Sequence, residues 1–294
     1  MKLLFVISRF SNLFVFIKKA KKRQSDFQDL WRLLTAEEHG EVLFYGKDKK
    51  VILEQWGRAV GDQNKKQFKR AFRSASALFA PQWQEIKKHL DAWKKYFKKN
   101  EKLLYQVLSA IEKINGLKKF DYKSIPIYLV SVPGGSAHDL GAWFSWTPNE
   151  SFIVVEIPIK LKTPNNFFPL GIVSHEFFHL MFRKNKKLFS EMINEAEKSK
   201  KLLTKKAKGM PYEIFLEELL VSSFIPEGYM SERFLEIPVS KKSTKRPDDL
   251  FDWRRYIAAT MREIVKEYSD NKKRIDKVCL KKIVREIKNP LPAF

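Results

Sequence analysis

His175-Glu176-Phe177-Phe178-His179 sets two imidazoles one helical turn apart, with a carboxylate beside the first. Residues i and i+4 of an α-helix project from the same face about 6 Å apart, so both rings can hold one tetrahedral metal ion. Glu176 then stands next to the ion without binding it. In this H-E-x-x-H pattern the metal acidifies a bound water and the glutamate takes its proton. The flanks suit a helix. Gly171-Ile172-Val173-Ser174 leads in, Leu180-Met181-Phe182 continues an apolar face, and Arg183 to Lys187 supplies positive charge for the C-terminal end of the dipole. The competing reading is a buried helix whose histidines are ordinary core residues.

Two histidines leave a catalytic metal site incomplete, so a third protein ligand must come from elsewhere, with the fourth position kept for water. The longer motif that adds a glycine and a third histidine finds Phe182 and Asn185 at those places. The other histidines, His39, His89 and His138, stand on no downstream helix, which turns the search to carboxylates. After Pro211, the segment Tyr212 to Phe224 reads as a helix apolar nearly all round, yet it carries Glu213, Glu217 and Glu218. Carboxylates on so apolar a helix are costly unless paired or metal-bound. Neighbouring residues on a helix point about 100° apart, so Glu217 and Glu218 cannot face one ion equally. Glu218 is favoured because Ser222, four residues on, could hydrogen-bond a ligating histidine. Glu217 is the alternative third ligand, and Glu213 ranks below both.

With these residues in view, the chain resembles the zincin metallopeptidases, and within them the gluzincins, the thermolysin-like branch whose third ligand is a glutamate on a later helix. The resemblance covers roughly residues 125 to 230. It implies hydrolysis of a peptide or protein substrate, with Zn2+ held by His175, His179 and Glu218 and with Glu176 as general base. Upstream of the metal helix, Ile125–Val132, Ala142–Trp146 and Phe152–Ile157 read as strands, with Thr147-Pro148-Asn149-Glu150 as the hairpin loop of the last two. In the family a similar hairpin lies over the active-site helix, and its edge strand pairs with extended substrate. The resemblance therefore implies Gly141, Ala142 and Trp143 as the substrate-binding strand. The family also supplies a hydroxyl or imidazole that stabilises the oxyanion, for which Tyr229, His138 and Tyr212 are the candidates.

The chain has 294 residues, 44% of them hydrophobic, enough to bury a large core and to exclude the disordered class. A single cysteine, Cys279, permits no internal disulfide, which fits a reducing, cytoplasmic compartment. Leu3 to Ile17 is apolar, but Arg9, Ser11 and Asn12 interrupt it and it is shorter than a membrane span, so it reads as a strand or helix of the fold. The formal net charge of +23 raises nucleic-acid or anionic-surface binding, yet the lysines are scattered in pairs and no nucleic-acid-binding motif accompanies them. A basic interaction protein with an inert metal site is the rival to the enzyme. Nothing in the sequence fixes an oligomeric state.

The expected fold is helix-rich α+β, a small antiparallel or mixed sheet packed on the H-E-x-x-H helix. Three regions are expected: a mostly helical 1–120, a catalytic core over 121–235, and a helical 236–294. Trp83, Ile86, Leu90, Trp93 and Phe97 keep helical spacing in the first, and Asp249–Tyr268 and Lys272–Ile287 read as helices in the last. Leu188 to Lys206 reads as one lysine-rich helix, and Ser240 to Pro247 as an exposed linker.

Overall fold

The computed structural model describes residues 2–20, 61–117, 123–134, 139–146, 151–239, 247–271 and 273–288. His39, His138, the 147–150 turn and residues 240–246 of the expected linker lie outside them. The described chain is a helix-rich α+β fold with one mixed sheet of four strands. It divides into two compact units, residues 1–99 with 124–163, and residues 100–123 with 164–294. The units interleave along the chain instead of following the three consecutive regions expected from sequence. The cause is pairing between distant segments, such as Leu3 with Ile125 in the sheet.

The first unit holds the sheet, β1 (Lys2–Val6), β2 (Ser124–Val132), β3 (Gly141–Trp146) and β4 (Ser151–Pro158), in the order β1-β2-β4-β3. β1 and β2 are parallel, as are β2 and β4, whereas β3 runs antiparallel to β4 with Trp146 opposite Ser151. The three strands expected around 125–157 are thus present, and β1 adds a fourth. Burial of β2 and β4 is almost continuous, which explains why Ile, Leu and Val predominate in both.

The apolar segment from Leu3 to Ile17 supplies both β1 and helix α1 (Arg9–Ala20). Ser11 and Asn12, which interrupt its hydrophobicity, are buried within it. Asn12 acts as a clasp between α1 and the sheet: its Nδ2 donates to the Leu129 carbonyl at 3.3 Å and its Oδ1 accepts from the Ser131 N–H at 2.8 Å. Replacing it by alanine leaves a buried peptide donor unpaired, so Asn12→Ala should lower stability by about 2 kcal/mol. A urea titration followed by circular dichroism checks this, and an unchanged midpoint would refute it. Helix α2 (Gly61–Lys99) completes the unit, burying Phe79, Leu90, Trp93 and Phe97 at the expected helical spacing. The Trp93 indole donates to the Leu161 carbonyl at 3.1 Å.

The second unit is helical: α3 (Glu101–Ile114), α4 (Phe168–Lys184), α5 (Lys186–Lys198), α6 (Lys200–Ala207), α7 (Tyr212–Phe224), α8 (Tyr229–Leu235), α9 (Leu250–Asp270) and α10 (Lys277–Lys288). Two boundaries differ from expectation. The basic run 183–187 is shared between two helices, because Asn185 ends α4 and caps α5 by accepting from the Leu188 N–H at 3.1 Å. The single lysine-rich helix is likewise broken at Ser199, which ends α5 and begins α6. Among the described residues no helix is long and apolar enough to cross a membrane.

Candidate metal centre

Helix α4 is apolar on almost every side, and Pro169 in its first turn and Arg183 and Lys184 in its last agree with its polarity. An element buried from Val173 to Phe182 would be expected to carry no polar group, yet His175, Glu176 and His179 are buried within it. Helix α7 repeats the pattern, with Glu217 buried among Phe215, Leu216, Leu219 and Leu220. Both helices, with α9, belong to the second unit, so the centre is built entirely there.

The two imidazoles present their Nε2 atoms to one another at 3.1 Å. Their other nitrogens fix the tautomers. His175 Nδ1 lies 2.9 Å from the Ile225 carbonyl oxygen, which can only accept, so Nδ1 carries the proton. His179 Nδ1 lies 2.8 Å from Glu217 Oε1, and the same carboxylate receives the Arg183 guanidinium at 2.9 Å. Glu217 is therefore ionised and acts as acceptor, which again places the proton on Nδ1. The two Nε2 atoms face inward towards one another, an arrangement that calls for a proton or a metal ion between them.

Glu218 closes the cluster, with Oε2 3.3 Å from His175 Nε2 and Oε1 3.3 Å from His179 Nε2. His175, His179 and Glu218 offer ligand atoms that all lie within 4.8 Å of one another, as a metal site requires. Helical phase separates the two neighbouring glutamates as anticipated: Glu218 faces the Nε2 pair, whereas Glu217 reaches round to the far nitrogen of His179. Glu217 thus fixes the orientation of the His179 ring. Ser222 does not take that role. Its Oγ is buried without a hydrogen-bond partner, because Ile225 and Glu217 already occupy both Nδ1 atoms.

The electrostatics follow from burial against close charge. Burial raises the pKa of Glu176, with the imidazoles pulling the other way. Burial also works against the charged forms of Glu217 and Glu218, but hydrogen bonds from the histidines outweigh it and hold both carboxyls below the usual range. For His179, burial favours the neutral ring, and the bonds from Glu217 and Glu218 reverse this and lift it to about 10. Within the cluster Arg183 offsets Glu217 and Arg254 offsets Glu227, 3.0 Å away. Glu218, with Arg254 4.0 Å from its Oε2, faces the Nε2 pair, and a proton or a metal ion held between the three would balance its charge.

The turn after α7 matters as much as the helices. Gly228 packs so close that a Cβ would collide with the Ser223 carbonyl. That contact keeps the 225–228 segment tight, delivering the Ile225 carbonyl to His175 and Glu227 to Arg254. Sequence reasoning missed Arg183, Glu227 and Arg254. Arg183 was within reach, since His175, His179 and Arg183 form one i, i+4, i+8 stripe.

Other expected residues lie as follows. The Tyr229 hydroxyl sits 3.4 Å from Asp270, and the Tyr212 hydroxyl bonds Glu197. Glu213 is in the first turn of α7, outside its buried set. Gly141, Ala142 and Trp143 stand on the edge strand β3 of the first unit, and His89 is on α2. No family of known proteins, no curated protein and no solved structure matches the chain, so the centre is characterised by its geometry alone.

Proposed function

We propose that the protein is a zinc-dependent metallopeptidase of gluzincin type, with His175, His179 and Glu218 as ligands and Glu176 as general base. One observation carries the reading. Ligands bound to zinc at the usual distances stand about 3.3 Å apart at the corners of a tetrahedron. Here the two Nε2 atoms are 3.1 Å apart, and Glu218 sets one carboxylate oxygen 3.3 Å from each of them, Oε2 towards His175 and Oε1 towards His179. Histidine nitrogen with one carboxylate is also the donor set that suits zinc, and three protein ligands leave a fourth position for water.

The bound ion would supply a Lewis acid that acidifies that water. The chain's own residues do the rest. Glu176, beside the ligands but outside the coordinating set, accepts the water's proton, and its raised pKa suits a base that must later return the proton. Glu217 and the Ile225 carbonyl keep the imidazoles oriented, with Arg183 holding Glu217 in turn. Gly141, Ala142 and Trp143 belong to an edge strand of the first unit, a position from which a sheet can add an extended peptide. A reducing, cytoplasmic setting suits the lone buried Cys279.

Zinc analysis joined to cleavage of a peptide library tests the proposal. About one zinc per chain is expected, together with hydrolysis that a chelator abolishes and added zinc restores. Protein that stays metal-free on titration refutes the metal centre. Zinc uptake without cleavage favours the basic interaction protein with an inert site.

A further inference from the structure

Helix α9 brings to the metal centre a charged side chain that the H-E-x-x-H pattern does not call for. Arg254 Nη1 lies 4.0 Å from Glu218 Oε2, too far for a hydrogen bond. Its Nη2 is anchored on Glu227, 3.0 Å from Oε1 and 3.2 Å from Oε2. Its Nε is buried with no hydrogen-bond partner. A guanidinium carries five donors in a rigid fork. Pinned by one prong to Glu227, this fork has donor capacity to spare beside a metal-holding carboxylate.

Exposure gives the direction of approach. The side chains of His175, His179 and Glu217 are 6%, 3% and 2% exposed, whereas Glu218 and Arg254 are 21% and 19% exposed. A substrate therefore reaches the cluster on the side that Glu218 and Arg254 share. A zinc–oxygen bond is about 2.0–2.2 Å, so Nη1 lies within about 6 Å of an ion held by Glu218 through Oε2. That is the neighbourhood of the scissile carbonyl oxygen.

We propose that Arg254 is a catalytic residue, the donor that stabilises the oxyanion. The inference rests on the peptidase reading and adds to it the group that takes the developing charge. Water oxygen bonds to the carbonyl carbon while its proton passes to Glu176, and the carbonyl π pair moves onto oxygen. Arg254 hydrogen-bonds that oxygen more strongly as its charge grows, which lowers the barrier without tightening substrate binding. Collapse reforms the C=O bond, breaks the C–N bond and returns the proton from Glu176 to the leaving amine. Glu227 positions the guanidinium, and this role falls to neither Tyr229 nor Tyr212, whose hydroxyls are engaged with Asp270 and Glu197.

The test compares zinc-loaded full-length wild type with Arg254→Ala, Arg254→Lys and Glu227→Gln on a peptide that wild type cleaves. Arg254→Ala should lower kcat about a hundredfold to a thousandfold with KM little changed and zinc affinity retained. Arg254→Lys should fall between, since it keeps the charge and loses the fork. Glu227→Gln should lower kcat by less, with zinc retained. Added guanidinium should restore part of the Arg254→Ala rate and none of that lost in Glu176→Gln. If Arg254→Ala does not fold, the lysine and Glu227 variants decide by the same readouts. Unchanged kcat overturns the assignment, as does zinc loss in proportion to activity, which would make Arg254 a prop for Glu218. Either result leaves the peptidase reading intact. A wild type that cleaves nothing removes both.

Discussion

Replacing Glu176 by glutamine is expected to lower peptide hydrolysis by about three orders of magnitude while the protein keeps its zinc and its fold. The amide occupies the same volume and cannot accept the water's proton. Zinc is retained because Glu176 lies outside the coordinating set of His175, His179 and Glu218. Metal-free stability gives an independent check. Burial raises the Glu176 pKa, so holding this carboxylate ionised at neutral pH works against the folded state. An amide carries no such penalty, and the variant should unfold at no lower temperature than wild type. Turnover equal to wild type would remove Glu176 from the mechanism.

The second large effect separates the two neighbouring glutamates of α7. Glu218→Ala removes one of three ligands and should empty the site at micromolar zinc. Glu217→Ala keeps the ligand set but strips the acceptor from His179 Nδ1, which should weaken zinc about tenfold to a hundredfold. It should also cost more stability than Glu218→Ala in the metal-free protein. Glu217 is 2% exposed and pairs with both His179 and Arg183, so its loss leaves two donors without their acceptor. A cost of about 2 kcal/mol is expected, below that of a fully buried pair because Arg183 is 30% exposed and can turn to water. Zinc titration and thermal melts of the two variants measure both effects. If Glu217→Ala empties the site and Glu218→Ala binds normally, the ligand assignment is reversed.

What could be read from the chain was whatever a single helix writes into sequence. The spacing of His175 and His179, and the apolar span of Tyr212 to Phe224 carrying three glutamates, are properties of one element each, and both recur in the structure with close boundaries. The choice between Glu217 and Glu218 depended on a helix that begins 28 residues beyond the end of α4. Phase alone showed that only one could face the ion. Ser222 was chosen for its spacing from Glu218, but the carbonyl that orients His175 comes from Ile225, a backbone group that no side-chain pattern reveals. Arg254 was hidden for another reason: it is one of 57 lysines and arginines, and nothing local distinguishes the residue that turns inward. Asn12 shows the converse, a polar residue that looks like a flaw in an apolar run and proves to be its attachment to β2.

The interleaving of the two units also sets an order of events during synthesis. Chain passes from one unit to the other after residues 99, 123 and 163. β1 leaves the ribosome before its partner β2, which follows only after both α2 and α3 have been made. The nascent strand must wait, with an apolar edge exposed, through more than a hundred further residues. The cluster in the second unit meets a similar delay: His175 and His179 emerge before Glu218, and Arg254 arrives later still. A chain stopped after α8 would carry His175, His179, Glu218 and Glu227 yet lack the guanidinium that pairs with Glu227. The cluster of His175, His179 and Glu218 is thus synthesised before α9 arrives to add Arg254 beside it.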